Sequence, residues 1–196
     1  GDGVLVGAQV ADFVQPIQHG LGRIKIRETL GQVDCAALSQ LERITDALAG
    51  TGMGGMLGQL LDSENKNFDI VCTDICPEIL ALTRINMKSD DTRVAYVACD
   101  ARCTSLADNS FDYITSYGAF GTVPDTPRVA KELHRMLKPG GTLIIKGSYI
   151  EKDSDSYELA EMVGAERNLV EDFIMEDLRA AGFRNVTSAL VAEAVW

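Results

Sequence analysis

Long apolar runs, histidine and positive charge are what this chain has least of. No uninterrupted apolar stretch approaches the roughly 20 residues of a membrane-spanning helix, so no membrane span is expected. Imidazole is scarce as a general base, because His19 and His134 are the only histidines. Lysine and arginine total 18 against 29 aspartates and glutamates, a net charge of −11. That balance repels polyanions, so no nucleic-acid substrate is expected and a small molecule fits better. No charged-then-apolar leader is present, and the five cysteines are an odd number. Both features predict thiols in a reducing cytoplasm.

Four of those cysteines form two C-x-x-x-C pairs, Cys72/Cys76 and Cys99/Cys103. Structural zinc sites mostly use C-x-x-C, and Cys72 and Cys99 sit within apolar runs like small buried hydrophobes. No metal is expected. With 196 residues, the chain is long enough for one domain with a sizeable core.

What is there in quantity is glycine, and its densest use is residues 44–55, ITDALAGTGMGG. An apolar run containing Asp46 enters Gly50-Thr51-Gly52, two further glycines follow at Gly54 and Gly55, and MLGQLL reads as a helix. A strand, a glycine turn and a departing helix form the first βα unit of a nucleotide-binding domain. The turn must be tight, and the ligand must approach bare backbone at a helix N-terminus. About twenty residues on, Asp74 closes a second apolar run, FDIVCTD. That layout alone suits NAD as well as other nucleotides.

Beyond residue 43, strand, turn and helix signals repeat. Strands are expected near 43–48, 68–73, 92–100, 111–117 and 142–147, with helices near 53–62, 77–88, 127–137 and 169–181. The fourth helix-to-strand joint, Lys138-Pro139-Gly140-Gly141, is a turn signal. Such alternation predicts an α/β, doubly wound, mostly parallel sheet with helices on both faces. Residues 1–42 are expected to be an N-terminal helical lid on a core of 43–196, with the final strand cut short at Trp196. One domain spans 1–196.

Several segments then fall in a familiar order. DALAGTG (46–52), TDICPEIL (73–80), CDA (99–101), DNSFDYI (108–114) and ELHRMLKPGGTLII (132–145) resemble the motifs of class I S-adenosylmethionine-dependent methyltransferases. The likeness is nearest to the small-molecule group that includes the ubiquinone/menaquinone methyltransferases. It implies a Rossmann-like three-layer α/β/α fold with core strand order 3-2-1-4-5 plus C-terminal strands. It also implies S-adenosylmethionine as cofactor and S-adenosylhomocysteine as product. Carried onto this chain, Asp74 takes the ribose hydroxyls and Asp100 the adenine amine, beside the Ala101 N–H. Ile75 and Ile79 face adenine, Gly50, Thr51 and Gly52 approach the methionine moiety, Asp46 lies near its ammonium or orients the loop, and Tyr117 borders the cofactor. Asp112 is expected to hold the start of its strand, and Glu132 with Arg135 to make a structural contact.

Departures from the family pattern are Leu48 and Ala49, where many relatives carry Gly or Ala and then Cys, and GAFGTVPD (118–125), where many carry a histidine pair. No residue is assigned as catalytic. His19, Tyr117, Phe120 and Tyr149 are the candidates for shaping the substrate pocket. A homodimer is left open. The alternatives are a methyltransferase-like subunit that binds without catalysing, or an NAD(P)-dependent oxidoreductase.

Overall fold

The chain alternates apolar strands with amphipathic helices, and in the structure, a computed structural model, these stack as expected. It describes residues 3–7, 44–49, 55–62, 68–87, 92–147, 149–150, 157 and 169–189. In chain order the elements are β1 (Gly3–Gly7), β2 (Ile44–Ala49), α1 (Gly55–Asp62), β3 (Phe68–Asp74), α2 (Pro77–Asn86), β4 (Val94–Ala98) and β5 (Phe111–Tyr117). A short 3-10 turn, Phe120–Thr122, leads to α3 (Thr126–Met136), β6 (Leu137–Lys146), α4 (Glu171–Ala181) and β7 (Val186–Ser188).

The described strands form one sheet in the order β4-β3-β2-β5-β6-β1-β7. Every pairing in it is parallel. Its first five members reproduce the expected 3-2-1-4-5 order. The winding direction reverses between β2 and β5, and ligands of such sheets bind at the C-terminal strand ends near that reversal.

Each face of the sheet has its own apolar layer. Ile114, Leu143 and Ile145 pack with Val129, Leu133 and Met136 of α3 and with Ile174 and Leu178 of α4. Ile70, Cys72 and Ile144 pack with Leu57 and Leu60 of α1. Neighbouring residues Ile144 and Ile145 enter opposite layers, as the two-residue period of a strand requires. α3 and α4 are further joined by a buried hydrogen bond, in which Thr126 Oγ1 donates to Asp177 Oδ2 at 2.6 Å.

One expectation is corrected at the N-terminus. Residues 3–7, assigned by sequence to a helical lid, form β1 between β6 and β7. Glycines at both ends disfavour a helix there, by about 1 kcal/mol each in a helix interior, and Val-Leu-Val suits a strand. The rest of the expected lid, residues 8–42, lies outside the described residues, as does the chain end at 190–196.

The α3–β6 joint is tighter than a plain turn. Phe111 pairs with Leu137 and Tyr113 with Thr142, so residues 138–141 bulge out opposite Asp112 alone. Gly140 holds a φ of 85°, the left-handed region that favours glycine. A Cβ on Gly141 would lie 2.9 Å from Leu137 Cδ2 and 3.0 Å from the carbonyl oxygens of Asp112 and Lys138. Lys138 Nζ then staples the bulge to Asp112 Oδ2 at 2.7 Å, the strand-holding role expected of Asp112. Gly141→Ala is expected to destabilise the fold by about 1–3 kcal/mol. The midpoint of urea denaturation reads this directly, and an unchanged midpoint would refute the tight approach.

Candidate functional site

Strand register decides which side chains can meet. Ala49 ends β2 beside Thr73, Asp74 pairs with Ala98, and Tyr117 ends β5 beside Lys146. The C-terminal ends of these strands therefore lie at one edge of the sheet. A cavity of about 480 Å³ opens there. Its wall takes Thr73, Asp74 and Ile75 from the end of β3, and Cys99, Asp100, Ala101 and Arg102 from the segment after β4. Ser116, Tyr117 and Phe120 follow from β5 and the 3-10 turn, and Val129 and Leu133 of α3 form an apolar floor. A volume of this size suits a small ligand or cofactor.

Six sequence candidates thus come together: Asp74, Ile75, Asp100, Ala101, Tyr117 and Phe120. Ile75 is 69% exposed at the mouth, whereas Phe120 is 2% exposed. Ile79 is not part of this wall; it sits within α2, where its carbonyl accepts from Thr83 Oγ1 at 2.8 Å. Tyr149 is not at the rim either. It is 3% exposed in the α3/α4 layer, and burial pushes its phenol pKa up. Its ring packs so closely on the chain that a Cβ on Gly147 would come within 2.7 Å of Tyr149 Oη. The aromatic body of tyrosine found apolar neighbours, which outweighed a place on a wet rim.

Asp46 is placed by its backbone, which pairs with Ile70 and Tyr113 within β2. Gly50, Thr51, Gly52 and His19 lie outside the described residues. His134 is exposed on α3, edge-on to Phe183 at a ring separation of 5.0 Å. It borders a different cavity, with Asn109 and Pro139, and so is removed from Asp74 and Asp100.

The two rim carboxylates have different surroundings. Asp74 Oδ1 accepts from the Cys76 backbone N–H at 3.0 Å, a turn that leads the chain into α2, with Pro77 at its first turn. Asp100 is gripped by Arg102, whose Nη2 reaches Oδ2 at 2.7 Å and whose Nε lies 3.0 and 3.1 Å from the two oxygens. The Arg102 backbone N–H adds a bond of 2.8 Å to Oδ1. These donors, side chain first, draw the Asp100 pKa down to about 2.

Two wall residues carried no sequence signal. Arg102 is one, since an arginine two places after a strand-end aspartate is unremarkable by itself. The other is Ser116, 1% exposed, whose Oγ has no hydrogen-bond partner among the described residues. A buried hydroxyl left so is costly unless a ligand completes it.

Comparison with known proteins decides the family. The profile described as "Methyltransferase domain" matches residues 48–145, half of the chain. The chain belongs to the class I S-adenosylmethionine-dependent methyltransferases. It is 30% identical to phosphoethanolamine N-methyltransferase 2 of Caenorhabditis elegans over 70% of this chain, but spans only 32% of that protein's length. It is 25% identical to the ubiquinone/menaquinone biosynthesis C-methyltransferase UbiE of Escherichia coli, over 90% of this chain and 80% of that one. Among solved structures, a Haemonchus contortus phosphoethanolamine N-methyltransferase 2 in complex with S-adenosyl-L-methionine matches at a TM-score of 0.58 and 25% identity. That match covers 76% of this chain and 36% of the other. The family assignment sets aside the oxidoreductase alternative.

In this methyltransferase the cavity-lining loop after β4 is held by α3. Glu132 Oε1 accepts from the Thr104 N–H at 2.7 Å and Oγ1 at 2.8 Å, and Arg135 Nη2 lies 2.8 Å from the same oxygen. Arg135 also donates to Glu132 Oε2, to the Leu106 carbonyl and to Asp108. This is the structural Glu132–Arg135 contact expected from sequence. Arg135 foremost, and Thr104 after it, hold the Glu132 carboxyl below its ordinary value of 4.5, against an opposing desolvation effect. A carboxyl lowered in the folded state stabilises it above the unfolded pKa, and that stabilisation is lost as pH falls through the folded value. Glu132→Gln should therefore cost about 2 kcal/mol at neutral pH. The deficit should shrink as pH drops below the ordinary glutamate range, read by urea denaturation at several pH values. A deficit independent of pH would show that the Glu132 charge contributes nothing.

Proposed function

We propose that this methyltransferase holds S-adenosylmethionine in the cavity at the ends of β3, β4 and β5 and directs its methyl group to a small-molecule acceptor. The observation that carries this reading is the pair of carboxylates, Asp74 and Asp100, on the rim of a cavity floored by Val129 and Leu133. A nucleoside needs both features, because its hydroxyls and amine must be accepted while its base is desolvated.

In this reading Asp74 accepts the ribose hydroxyls and Asp100 the adenine amine, with the Ala101 N–H beside the ring. Ile75 covers the base at the mouth, and Tyr117 and Phe120 bound the far wall. Gly50, Thr51 and Gly52 offer backbone to the methionine end and Asp46 orients that loop, roles that rest on the sequence resemblance. When bound, the cofactor supplies an electrophilic methyl carbon on a sulfonium whose departure as a thioether needs no acid. The protein's task is then to hold the acceptor atom in line, an effect worth roughly 7–11 kcal/mol at best. No residue is assigned as a base, and one is required only for acceptors that must lose a proton.

A small-molecule acceptor is supported by relatives named for phosphoethanolamine and for ubiquinone/menaquinone biosynthesis. A cytoplasmic location is supported by Cys72, Cys76, Cys99 and Cys103, none of which is in a disulfide.

The test is thermal denaturation with S-adenosylmethionine, S-adenosylhomocysteine or NAD, alongside Asp74→Ala. A ligand at a hundred times its dissociation constant adds about 2.7 kcal/mol of stability, a readable rise in Tm. The two adenosyl ligands should raise Tm in the parent and much less in the variant. A response to NAD alone, or to none of the three, would overturn the reading. Binding without turnover on any acceptor pool would recast the protein as a non-catalytic binding subunit.

A further inference from the structure

We infer that Arg102 is a positioning residue that sets base selectivity, fixing the Asp100 carboxylate so that one acceptor position faces an amino group on the bound purine. The inference rests on the adenosyl reading above and goes beyond it, since it names what makes Asp100 selective.

The geometry is specific. Three Arg102 donors, its backbone N–H, Nε and Nη2, make four contacts of 2.7–3.1 Å with the two Asp100 oxygens. A carboxylate offers about four lone-pair positions. The shared Nε makes two of those contacts at once, so the grip leaves room for about one further donor. Asp100 and Arg102 both line the cavity, with Ala101 between them. The turn that carries them is closed by the Cys103 N–H on the Asp100 carbonyl at 3.0 Å. It is tied to α3 where Arg128 Nε donates to the Arg102 carbonyl, also at 3.0 Å. Neither end of the clamp is loose.

The chemical consequence concerns what the acceptor will tolerate. Held by a guanidinium, the carboxylate stays ionised and can accept a hydrogen bond but not donate one. An exocyclic amine satisfies it. A carbonyl oxygen at the same ring position, as in hypoxanthine, would face it lone pair to lone pair. A carboxylate without the fork could rotate away from that clash, so selectivity depends on Arg102 even though Asp100 makes the contact. Arg102 is suited to this rather than to general stability, because its side chain is 36% exposed and outside the apolar layers.

The experiment is calorimetric titration of the parent and three variants with S-adenosylhomocysteine and with its deaminated analogue, S-inosylhomocysteine. The parent should favour the amino ligand by roughly 10- to 100-fold, the range of one charge-assisted hydrogen bond. Arg102→Met, which removes the side-chain donors but keeps an apolar stem, should bring that ratio down about tenfold, and Arg102→Lys should fall between. Arg128→Gln loosens the turn but leaves the fork, so it should weaken both ligands alike and keep the ratio. Tm without ligand is recorded for each variant to confirm folding. Arg102→Met that weakens both ligands equally, with the ratio intact, would overturn the role given to Arg102. No binding of S-adenosylhomocysteine to the parent would instead overturn the adenosyl reading itself.

Discussion

Everything at the cavity depends on how α3 holds the segment between β4 and β5. That segment, residues 99–110, has no helix or strand of its own, so its backbone groups must find partners elsewhere. Glu132 provides one for the Thr104 N–H, Arg135 one for the Leu106 carbonyl, and Arg128 one for the Arg102 carbonyl. All three lie on the polar side of α3, while Val129, Leu133 and Met136 are buried against the sheet. One helix therefore floors the cavity with its apolar residues and secures the loop bearing Asp100 with its charged ones. Glu132 is the hub, because it takes donors from both the loop and Arg135. Losing it would leave Arg135 and the Thr104 N–H short of a partner at the same time.

The same logic explains which features were legible in the sequence. The parallel alternation follows from apolar runs separated by helices, and the β4-β3-β2-β5-β6 order is the one the family resemblance implied. The Glu132–Arg135 contact was legible because three residues along a helix bring side chains together. Asp112 was legible as a strand holder, although its partner Lys138 becomes a neighbour only through the bulge at 138–141.

What stayed hidden required knowledge of direction or of distant pairing. Residues 3–7 have no periodicity long enough to betray a strand, and their partners, Thr142 through Lys146 and Val186 through Ser188, lie far along the chain. Tyr149 reads as a rim residue because it follows β6, yet the layer formed by Ile174 and Leu178 draws its ring inward. Ile79 lies in the segment whose resemblance implies an adenine contact, but its place within α2 leaves it off the cavity wall. Ser116 sits between Thr115 and Tyr117 in β5, so only the three-dimensional wall reveals that it borders the cavity.

Electrostatics gives the two rim carboxylates separate tasks. Asp100 has its own cation two residues away, and its charge is locally balanced before any ligand arrives. Asp74 has no ion pair among the described residues and accepts only from a backbone N–H. In a chain of net charge −11, a cationic cofactor gains most from the carboxylate that is not already neutralised. In the proposed adenosyl complex Asp74 would thus contribute attraction as well as hydrogen bonds to ribose, whereas Asp100 would contribute direction. That division follows from one difference in sequence: a basic side chain lies two residues after Asp100, and Cys76 occupies the same place after Asp74. Both turns are made by the backbone N–H two residues on, but the Cys76 Sγ is directed to Glu78 rather than to Asp74.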